Sequence, residues 1–592
     1  MKLVSTIILV LVLVSGLSIV GMSAITIPQF QSPNGLEHPV LYNTTYNDPS
    51  SVKTTFYSFE AYKTVPPNVT PKVVVVAKNV SFPVISKNPA IPYNVSVTIP
   101  SGTYSYILMN VSVSETNGTQ YDRQFDIFLD GVPIFWGSTQ EINNSTASVD
   151  MTEFENLLLQ NATFEIFLPA YQDFKIGVTG IYLVNVTLYL YPGAVPPGLP
   201  NYFVPLPGAF GVSLLSFNPL NDMYQTMVSI PNGTYRVQMM IYTEGGGNDE
   251  FWYTNEPATR SVLVYYNGYL ADVVNPYETL YTGGIDLFWW KPMPSVNTLS
   301  FHNQYVAELT PLLVTGNEAN ITICVTNLLE AYELTGSTAY DWSISGVLML
   351  WVNSSNPMVS GKLLTAKSSY MDSTPILNTG INAEYYQEGG SYHLHYISVM
   401  QFMHGKEISN VTQSGLFSAY QTFNNIYEKF IMNENFSEFA SDYGMYNASL
   451  SISMAYPTVG SISDIVVPIT NPEVIPFNAS YLQNGSIRLG FYVNYMSIFN
   501  GYNVTRVVRE SLYAKGGFAG ILEIINSYGG ALLVALTNNY ASNHKVLTAV
   551  SLTNGKGYMA SFNALAISPS ISDSAGYYSY ASMQIVPVSI SS

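Results

Sequence analysis

The densest run of chemically useful side chains is Gly247-Asn248-Asp249-Glu250-Phe251-Trp252-Tyr253-Thr254-Asn255. It places two carboxylates, two amides and three aromatic rings in nine residues of a chain whose charged residues make up only 10%. Read as a strand, alternate side chains share a face, so Glu250 and Trp252 point one way while Asp249, Phe251 and Tyr253 point the other. An acid beside an indole suits a sugar: the apolar face of the sugar ring lies on the indole, and the carboxylate accepts from hydroxyl or amide donors. The same pattern also describes a half-buried strand with one paired acid, and spacing alone leaves both open.

A second stretch, Tyr121-Asp122-Arg123-Gln124-Phe125-Asp126-Ile127-Phe128-Leu129-Asp130-Gly131, alternates in the same way. Phe125, Ile127 and Leu129 are expected in the core, with Asp122, Gln124, Asp126 and Phe128 on the other face. Asp122 and Asp126 are four residues apart, about 13 Å along a strand, so they cannot act as a close pair. A second working carboxylate must come from elsewhere, and Glu250 is the obvious supplier. Asp249 is the alternative, because register decides which side chain meets a cleft. Asp126, Glu141 and Asp286 are further acids whose structural use is the simpler expectation.

The elements that must position these residues are strands. From Thr54 onward, β-branched residues, alternation and turn signals recur, and long helical periodicity is scarce. Glu153 to Leu159 reads as a short helix, and Ala419 to Phe439 is the best later helical candidate. An internal repeat is visible. Ile99-Pro100-Ser101-Gly102-Thr103-Tyr104 matches Ile230-Pro231-Asn232-Gly233-Thr234-Tyr235. Arg123 and Arg260 each precede a two-residue turn by seven positions, Asp130-Gly131 and Asn267-Gly268, both strong hairpin signals. Val149 to Thr152 is echoed by Ala307 to Thr310, and Ala162 to Leu168 by Ala319 to Val325. The expected fold is all-β: two tandem jelly-roll-like antiparallel β-sandwiches followed by a further β-rich C-terminal region. The boundaries are a signal at 1–24, a lead-in at 25–53, the first sandwich at 54–193, a Pro/Gly linker at 194–208, the second sandwich at 209–355 and the C-terminal region at 356–592. A site between two such modules has a ready-made cleft.

Composition narrows the function. The 592 residues carry 21 Lys and Arg against 39 Asp and Glu, a net charge of −18. So acidic a chain with so few bases, no basic cluster and no phosphate-binding loop is a poor nucleic-acid partner. Polar surface comes from uncharged groups, including 46 Tyr, and changes little as carboxylates protonate; this points to an acidic external medium. Met1-Lys2, an apolar run from Leu3 to about Val20 and Gly21-Met22-Ser23-Ala24 read as a secretory signal cleaved after Ser23 or Ala24. Left uncleaved, the run is nearly long enough to anchor the protein in a membrane, which is the only membrane contact expected. Many Asn-x-Ser/Thr sequons fit an extracellular location. The single cysteine, Cys324, excludes a disulfide within the chain and reads as a structural thiol. His393 and His395 share a strand face and His404 follows, but with no cysteine or acidic companion they read as ordinary strand histidines rather than metal ligands.

Taken together, Asn248-Asp249-Glu250-Phe251-Trp252-Tyr253, Gly283-Gly284-Ile285 and Phe288-Trp289 resemble the peptide:N-glycosidase A type amidases. Tyr121-Asp122-Arg123, Gly131-Val132-Pro133-Ile134 and Ser138-Thr139-Gln140-Glu141 follow the family pattern of the first module, and Ile176 to Tyr182 approximates a later motif. The resemblance covers roughly residues 54 to 355. More distantly, the first module is similar to peptide:N-glycosidase F, with two jelly rolls side by side; Tyr121-Asp122-Arg123 falls on its Trp-Asp-Arg motif. One departure stands out: plant and fungal relatives carry several cysteines, and their disulfides have no counterpart here.

The resemblance implies hydrolysis of the amide joining N-acetylglucosamine to asparagine in an N-glycosylated peptide or protein. Asp122 would take or orient the proton of water, and Glu250 would fix the first sugar or the amide nitrogen. Arg123 would pair with a carboxylate or with the oxygen that becomes negative. Trp252 and Trp289 would be sugar platforms. No metal and no cofactor is called for. Two rivals remain: a glycoside hydrolase using the same carboxylates, and a non-enzymatic extracellular carbohydrate-binding or S-layer protein.

Overall fold

The structure is a computed structural model. It describes residues 55–59 and 67–589, apart from 85–90, 117–119, 121–122, 140–143, 159–160, 175–177, 247–248, 250–251, 255, 278–305, 336–341, 374, 381–382, 425–426, 472, 475, 525–530, 553–555 and 569–577. The signal at 1–24 and the lead-in at 25–53 therefore lie outside the described residues.

The first sandwich is built from β1 (Thr55–Phe59), β2 (Lys72–Phe82), β3 (Tyr93–Thr98), β4 (Tyr104–Thr116), β5 (Gln124–Leu129), β6 (Val132–Ser138), β7 (Asn144–Asp150), β8 (Asn161–Phe167) and β9 (Ile181–Pro192). One sheet runs β1-β7-β4-β9-β2 and the other β3-β8-β5-β6. Strand β9 shows why the chain folds this way. Tyr182, Val184, Val186, Leu188 and Leu190 are buried, and the residues between them are only partly so; that is the period of a half-buried strand.

The second sandwich repeats this wiring with β10 (Tyr202–Pro205), β11 (Leu215–Phe217), β12 (Met223–Ser229), β13 (Thr234–Gly245), β14 (Val262–Tyr266), β15 (Tyr269–Val274), β16 (Val306–Glu308), β17 (Glu318–Val325) and β18 (Trp342–Val352). Its sheets run β10-β18-β13-β16 and β12-β17-β14-β15, which superimpose in order on β2-β9-β4-β7 and β3-β8-β5-β6. In each module the first strand of the set lies beside the last and the second beside the next to last, the winding of a jelly roll. A short helix, α1 (Leu328–Thr335), precedes β18. The stretch 194–208 is more than a linker: β10 lies within it and pairs with β18, because Tyr202 to Pro205 supplies the edge strand that the second sheet needs.

The repeat extends to single hydrogen bonds. Asp130 and Asn267 both adopt φ 49°, followed by Gly131 and Gly268 at φ 80° and 81°, left-handed pairs that match the twist of tight hairpins. Their N–H groups donate to Thr163 O and Asn320 O. The Glu153 to Leu159 helix is a 3-10 turn, Thr152–Leu157, and its counterpart is Thr310–Thr315. Thr152 Oγ1 accepts from Ile107 N (3.1 Å) and donates to Asp150 Oδ1. Thr310 Oγ1 accepts from Val237 N (3.0 Å) and donates to Glu308 Oε1. The shared acid-x-Thr pattern ties each turn to the neighbouring strand.

The C-terminal region is one sheet of 11 antiparallel strands in which hairpin follows hairpin. It comprises β19 (Met358–Asp372), β20 (Ile376–Gly380), β21 (Ala383–Phe402), β22 (Gly405–Asn424), β23 (Tyr427–Tyr443), β24 (Asn447–Pro468), β25 (Phe477–Phe499), β26 (Tyr502–Ile524), β27 (Ala531–Leu552), β28 (Lys556–Ser568) and β29 (Tyr578–Ser589). The expected helix at Ala419 to Phe439 is instead part of the β22–β23 hairpin. Glu428, Glu434, Glu438 and Asp442 occupy the buried face of β23 between Phe430, Met432, Phe436 and Ala440. Acids at core positions break the apolar alternation and hide the strand period. The second sandwich seats on this face: Tyr396 Oη donates to Leu270 O (2.6 Å), Gln413 Nε2 to Asp272 Oδ1 (2.7 Å), and Asn275 Nδ2 to Glu434 Oε1 (3.0 Å). His393 is exposed on the opposite face of β21, where His395 also lies. Among the described residues no cluster of three metal-ligating side chains forms, and no helix is long and apolar enough to cross a membrane.

Candidate active site

The two sandwiches meet through the β5–β6 hairpin, which lies against β10, β13 and β18. Ser213 N–H donates to Gly131 O (3.2 Å), and Trp136 of β6 stacks on Tyr242 of β13, ring centroids 6.1 Å apart and 11° from parallel. Strand β5 is consequently buried on both faces. Phe125, Ile127 and Leu129 enter their own core as expected, while Asp126 and Phe128, on the other face, are covered as well.

Asp126 is fully buried at this junction. Gln124 Nε2 donates to its Oδ2 (2.7 Å), and Ser343 Oγ of β18 lies 3.3 Å from Gln124 Oε1, so the network crosses from one sandwich to the other. Glu244, next to the end of β13 and opposite Ser343, comes from the second module. Burial, and then the charge of Glu244, hold the Asp126 carboxyl well above the usual carboxylate range, against bonds from Gln124 and Gly137 that favour its ionised form. Two neighbouring acids in a dry setting share protons as a pair, the arrangement that keeps one carboxyl neutral beside an ionised one.

In the stretch that follows β13, the described residues Asp249 and Trp252–Thr254 do not lie in a strand. A Cβ on Gly245 would stand 2.3 Å from Asp249 O and 2.8 Å from the Trp342 ring, so the glycine lets the chain fold back at once. Asp249 N–H bonds Gly246 O, and Trp252–Thr254 forms a 3-10 turn. Asp249 is fully buried, and its two oxygens accept from Arg260 Nε (2.8 Å) and Nη2 (2.9 Å). Arg260 Nη1 donates to the Pro257 and Thr259 carbonyls. Asp249, expected at the substrate, is placed by the structure in an ion pair whose forked guanidinium engages both of its oxygens. Trp252, expected as a sugar platform, lies in the interior. It is fully buried, stacked on Tyr277 (5.8 Å) and edge-on to Trp342 (6.0 Å), with no face left for a sugar.

Arg123 lies at the edge of the junction. It exchanges two bonds with Thr139, its N–H to Oγ1 and its carbonyl from the Thr139 N–H, both 2.8 Å, and its guanidinium covers the Tyr171 ring at 4.6 Å. Asp122, Glu141, Glu250, Asp286 and Trp289 lie outside the described residues. Among the described candidates, the structure brings Asp126 to the junction and leaves Asp249 and Trp252 in the wall behind it. Sequence reasoning missed Glu244, Tyr242 and Arg260. A signal for Glu244 exists: it is the acid that ends the apolar run of β13 just before Gly245-Gly246-Gly247. Cys324 is half-buried in β17, and burial pushes its thiol up, as suits a structural residue.

Comparison with known proteins gives these features a context. The family model described as peptide N-acetyl-beta-D-glucosaminyl asparaginase amidase A matches residues 63–369, just over half of the chain, and spans both jelly rolls. Peptide-N4-(N-acetyl-beta-glucosaminyl)asparagine amidase A of Prunus dulcis is 28% identical over 305 residues, 45% of this chain and 51% of the relative. The chain thus spans about half the length of that curated relative. Among solved structures, PNGase F of Flavobacterium meningosepticum is 14% identical with a TM-score of 0.33, over 48% of this chain and 96% of its own. PNGF-II is 14% identical with a TM-score of 0.34, over 48% and 65%. The match across both sandwiches places the chain in the peptide N-acetyl-beta-D-glucosaminyl asparaginase amidase A family.

Proposed function

We propose that the protein is an extracellular amidase that hydrolyses the N-acetylglucosaminyl–asparagine amide of N-glycosylated peptides or proteins. The observation that carries this reading is the family match, which extends from residue 63 to residue 369 and so takes in strands of both jelly rolls. Water adds to the side-chain amide carbon and gives up its protons; the carbon–nitrogen bond breaks. The peptide leaves as aspartate and the glycan as a glycosylamine that later loses ammonia. An unactivated amide requires a base for the water and stabilisation of the charge that develops on the carbonyl oxygen. Asp122 is the base and Glu250 holds the first sugar or the amide nitrogen. Arg123 adds positive charge at the rim of the same junction, and Trp289 is the remaining candidate platform. Asp126 and Glu244, where the two sandwiches meet, support this chemistry, with a proton retained on Asp126. The raised carboxyl of Asp126 and the weakly charged surface fit work in an acidic medium.

The test is mass spectrometry of a glycopeptide incubated with the protein at acidic and at neutral pH. An amidase converts the attachment asparagine to aspartate. A glycoside hydrolase leaves sugar on asparagine, and a carbohydrate-binding protein leaves the glycopeptide intact. Asp122→Asn should abolish conversion and Glu250→Gln should impair it severely, both with folding intact. Near wild-type turnover in either variant would remove that residue from the mechanism.

A further inference from the structure

A cavity of about 130 Å³ lies where the three parts of the chain meet, away from the Asp126–Glu244 pair. Its walls come from the Thr152 turn of the first sandwich, from Pro196 to Pro200, from the second sandwich through Arg236 and Trp351, and from β24, β25 and β26. Two arginines line it, and they differ in one respect. Arg236 lies over the Trp351 ring (4.6 Å) and is bonded to Glu308 Oε2 through Nε (2.9 Å) and Nη2 (2.7 Å). Arg506 lies over the Tyr495 ring (5.3 Å) and is 1% exposed, yet none of its three guanidinium nitrogens has a hydrogen-bond partner among the described residues.

A buried guanidinium with no partner is costly, and proteins retain such a charge where something else completes it. We propose that this cavity is a binding site for a small organic monoanion, a carboxylate with a flat or short apolar body, held by Arg506. The guanidinium fork matches a carboxylate with two parallel bonds. The rings of Trp351, Tyr495 and Tyr502 and the side chains of Leu450 and Ile452 provide apolar walls for the rest of the ligand. The volume is close to that of an engineered cavity of roughly 150 Å³ that holds benzene. Glu153 also lines the space, and this carboxylate disfavours a second negative charge, which selects a monoanion over sulfate. Arg506 and the other lining residues from Leu450 onward lie beyond the matched residues 63–369, so the group that holds the ligand comes from outside the family match and the proposal does not rest on the amidase activity.

The test uses the full chain, with thermal unfolding and calorimetric titration against sodium benzoate and sodium acetate, and with sodium sulfate and sodium chloride at matched ionic strength as controls. Benzoate should raise Tm and bind more tightly than acetate, with sulfate no better than chloride. Arg506→Met should weaken benzoate roughly 10- to 100-fold, and in chloride it should be at least as stable as the parent, since it removes an unpaired buried charge. Ser497 lines the cavity opposite Val504, one diagonal from Arg506. Ser497→Asp should provide a resident partner, raising Tm and abolishing the benzoate response. Two results would overturn the proposal: no carboxylate-dependent shift or heat in the parent protein, or an Arg506→Met variant that responds as the parent does. If Arg506→Met fails to fold, Ser497→Asp decides, and an undiminished benzoate response in that variant also refutes the site.

Discussion

Raising the pH should loosen the second sandwich from the C-terminal sheet, because the seam between them is lined with acids that the fold keeps protonated. Glu434, Glu438 and Asp442 sit on the buried face of β23. Glu434 faces Asn275 and Asp272, with Tyr277 and Tyr392 alongside. Glu438 accepts from Glu308 N–H and lies near Asp272, Glu308 and Arg236. Asp442 lies near Glu308, Arg236, Ser409 and Glu407. Arg236, the cation of this set, is already bonded to Glu308. Burial pushes Glu434 up to about 8, Asp442 to about 8 and Asp272 to about 7, and holds Glu438 well above its ordinary value. These acids hold protons that the unfolded chain releases. Their contribution is complete below the unfolded carboxylate range, about pH 4, and is lost as pH rises through about 7 to 8. For Glu434 the rise from 4.5 to about 8 corresponds to about 5 kcal/mol. Each retained proton costs ~1.4 kcal/mol of stability per pH unit. The three on β23 alone give a slope on the order of 4 kcal/mol per pH unit, against a typical total of roughly 5–15 kcal/mol. Urea unfolding followed by tryptophan fluorescence across about pH 4 to 8 reads this directly. Glu434→Gln keeps an acceptor for Asn275 but cannot ionise, so its slope should be shallower by ~1.4 kcal/mol per pH unit. Stability that is flat or rising toward neutral pH, or a variant with the parent's slope, would refute the reasoning.

Arg260→Met should cost about 3–5 kcal/mol by leaving Asp249 buried without its counter-charge; adding Asp249→Leu should recover much of that, read as the urea midpoint. Trp252→Ala should lower stability by about 3–5 kcal/mol; a sugar platform would instead raise KM and leave the midpoint alone. Asp126→Asn mimics the neutral acid, so at neutral pH it should be at least as stable as the parent, with a flatter stability–pH curve; a lower midpoint would show that Asp126 is held ionised.

Much of the fold was legible because its signals are local. The left-handed Asp130-Gly131 and Asn267-Gly268 turns and the acid-x-Thr knots at Asp150 and Glu308 carry their conformations in a few residues each, and their common order revealed two copies of one winding. What escaped depends on distant packing. Asp249 and Tyr253 fit an alternating strand pattern in sequence, but Asp249 is drawn into the Arg260 guanidinium and Tyr253 lies in a 3-10 turn. The acids of β23 look like the polar face of a helix until the second sandwich covers them. Tyr202 to Pro205 sits among prolines and glycines and becomes a strand only because β18 has an unpaired edge. Glu244 could not be matched to Asp126 from sequence, since their meeting depends on how two separate sandwiches dock.

The C-terminal sheet also explains how a chain with one cysteine holds its candidate site in place. Tyr253, Ala258 and Thr259, which follow Asp249, are gripped by the sheet at successive points. Gln421 Nε2 donates to Tyr253 O (2.6 Å), and the Tyr253 ring packs on Phe430 (5.3 Å). Ala258 N–H donates to Tyr386 Oη (2.8 Å), which itself donates to Glu388. Thr259 Oγ1 and Asn327 Nδ2 donate to Glu388 Oε1 at 2.7 and 3.0 Å. These bonds are buried, where a satisfied polar network fixes geometry more firmly than apolar contact alone. They bear on both flanks of the Asp249–Arg260 pair, so the loop is fixed by the sheet behind it and by the ion pair within it. With a single cysteine the chain forms no internal disulfide, and these long strands supply restraint without thiols. Glu388 is itself pushed up to about 7 by burial and the nearby Asp372, so this grip, like the seam along β23, is strongest while its acids keep their protons.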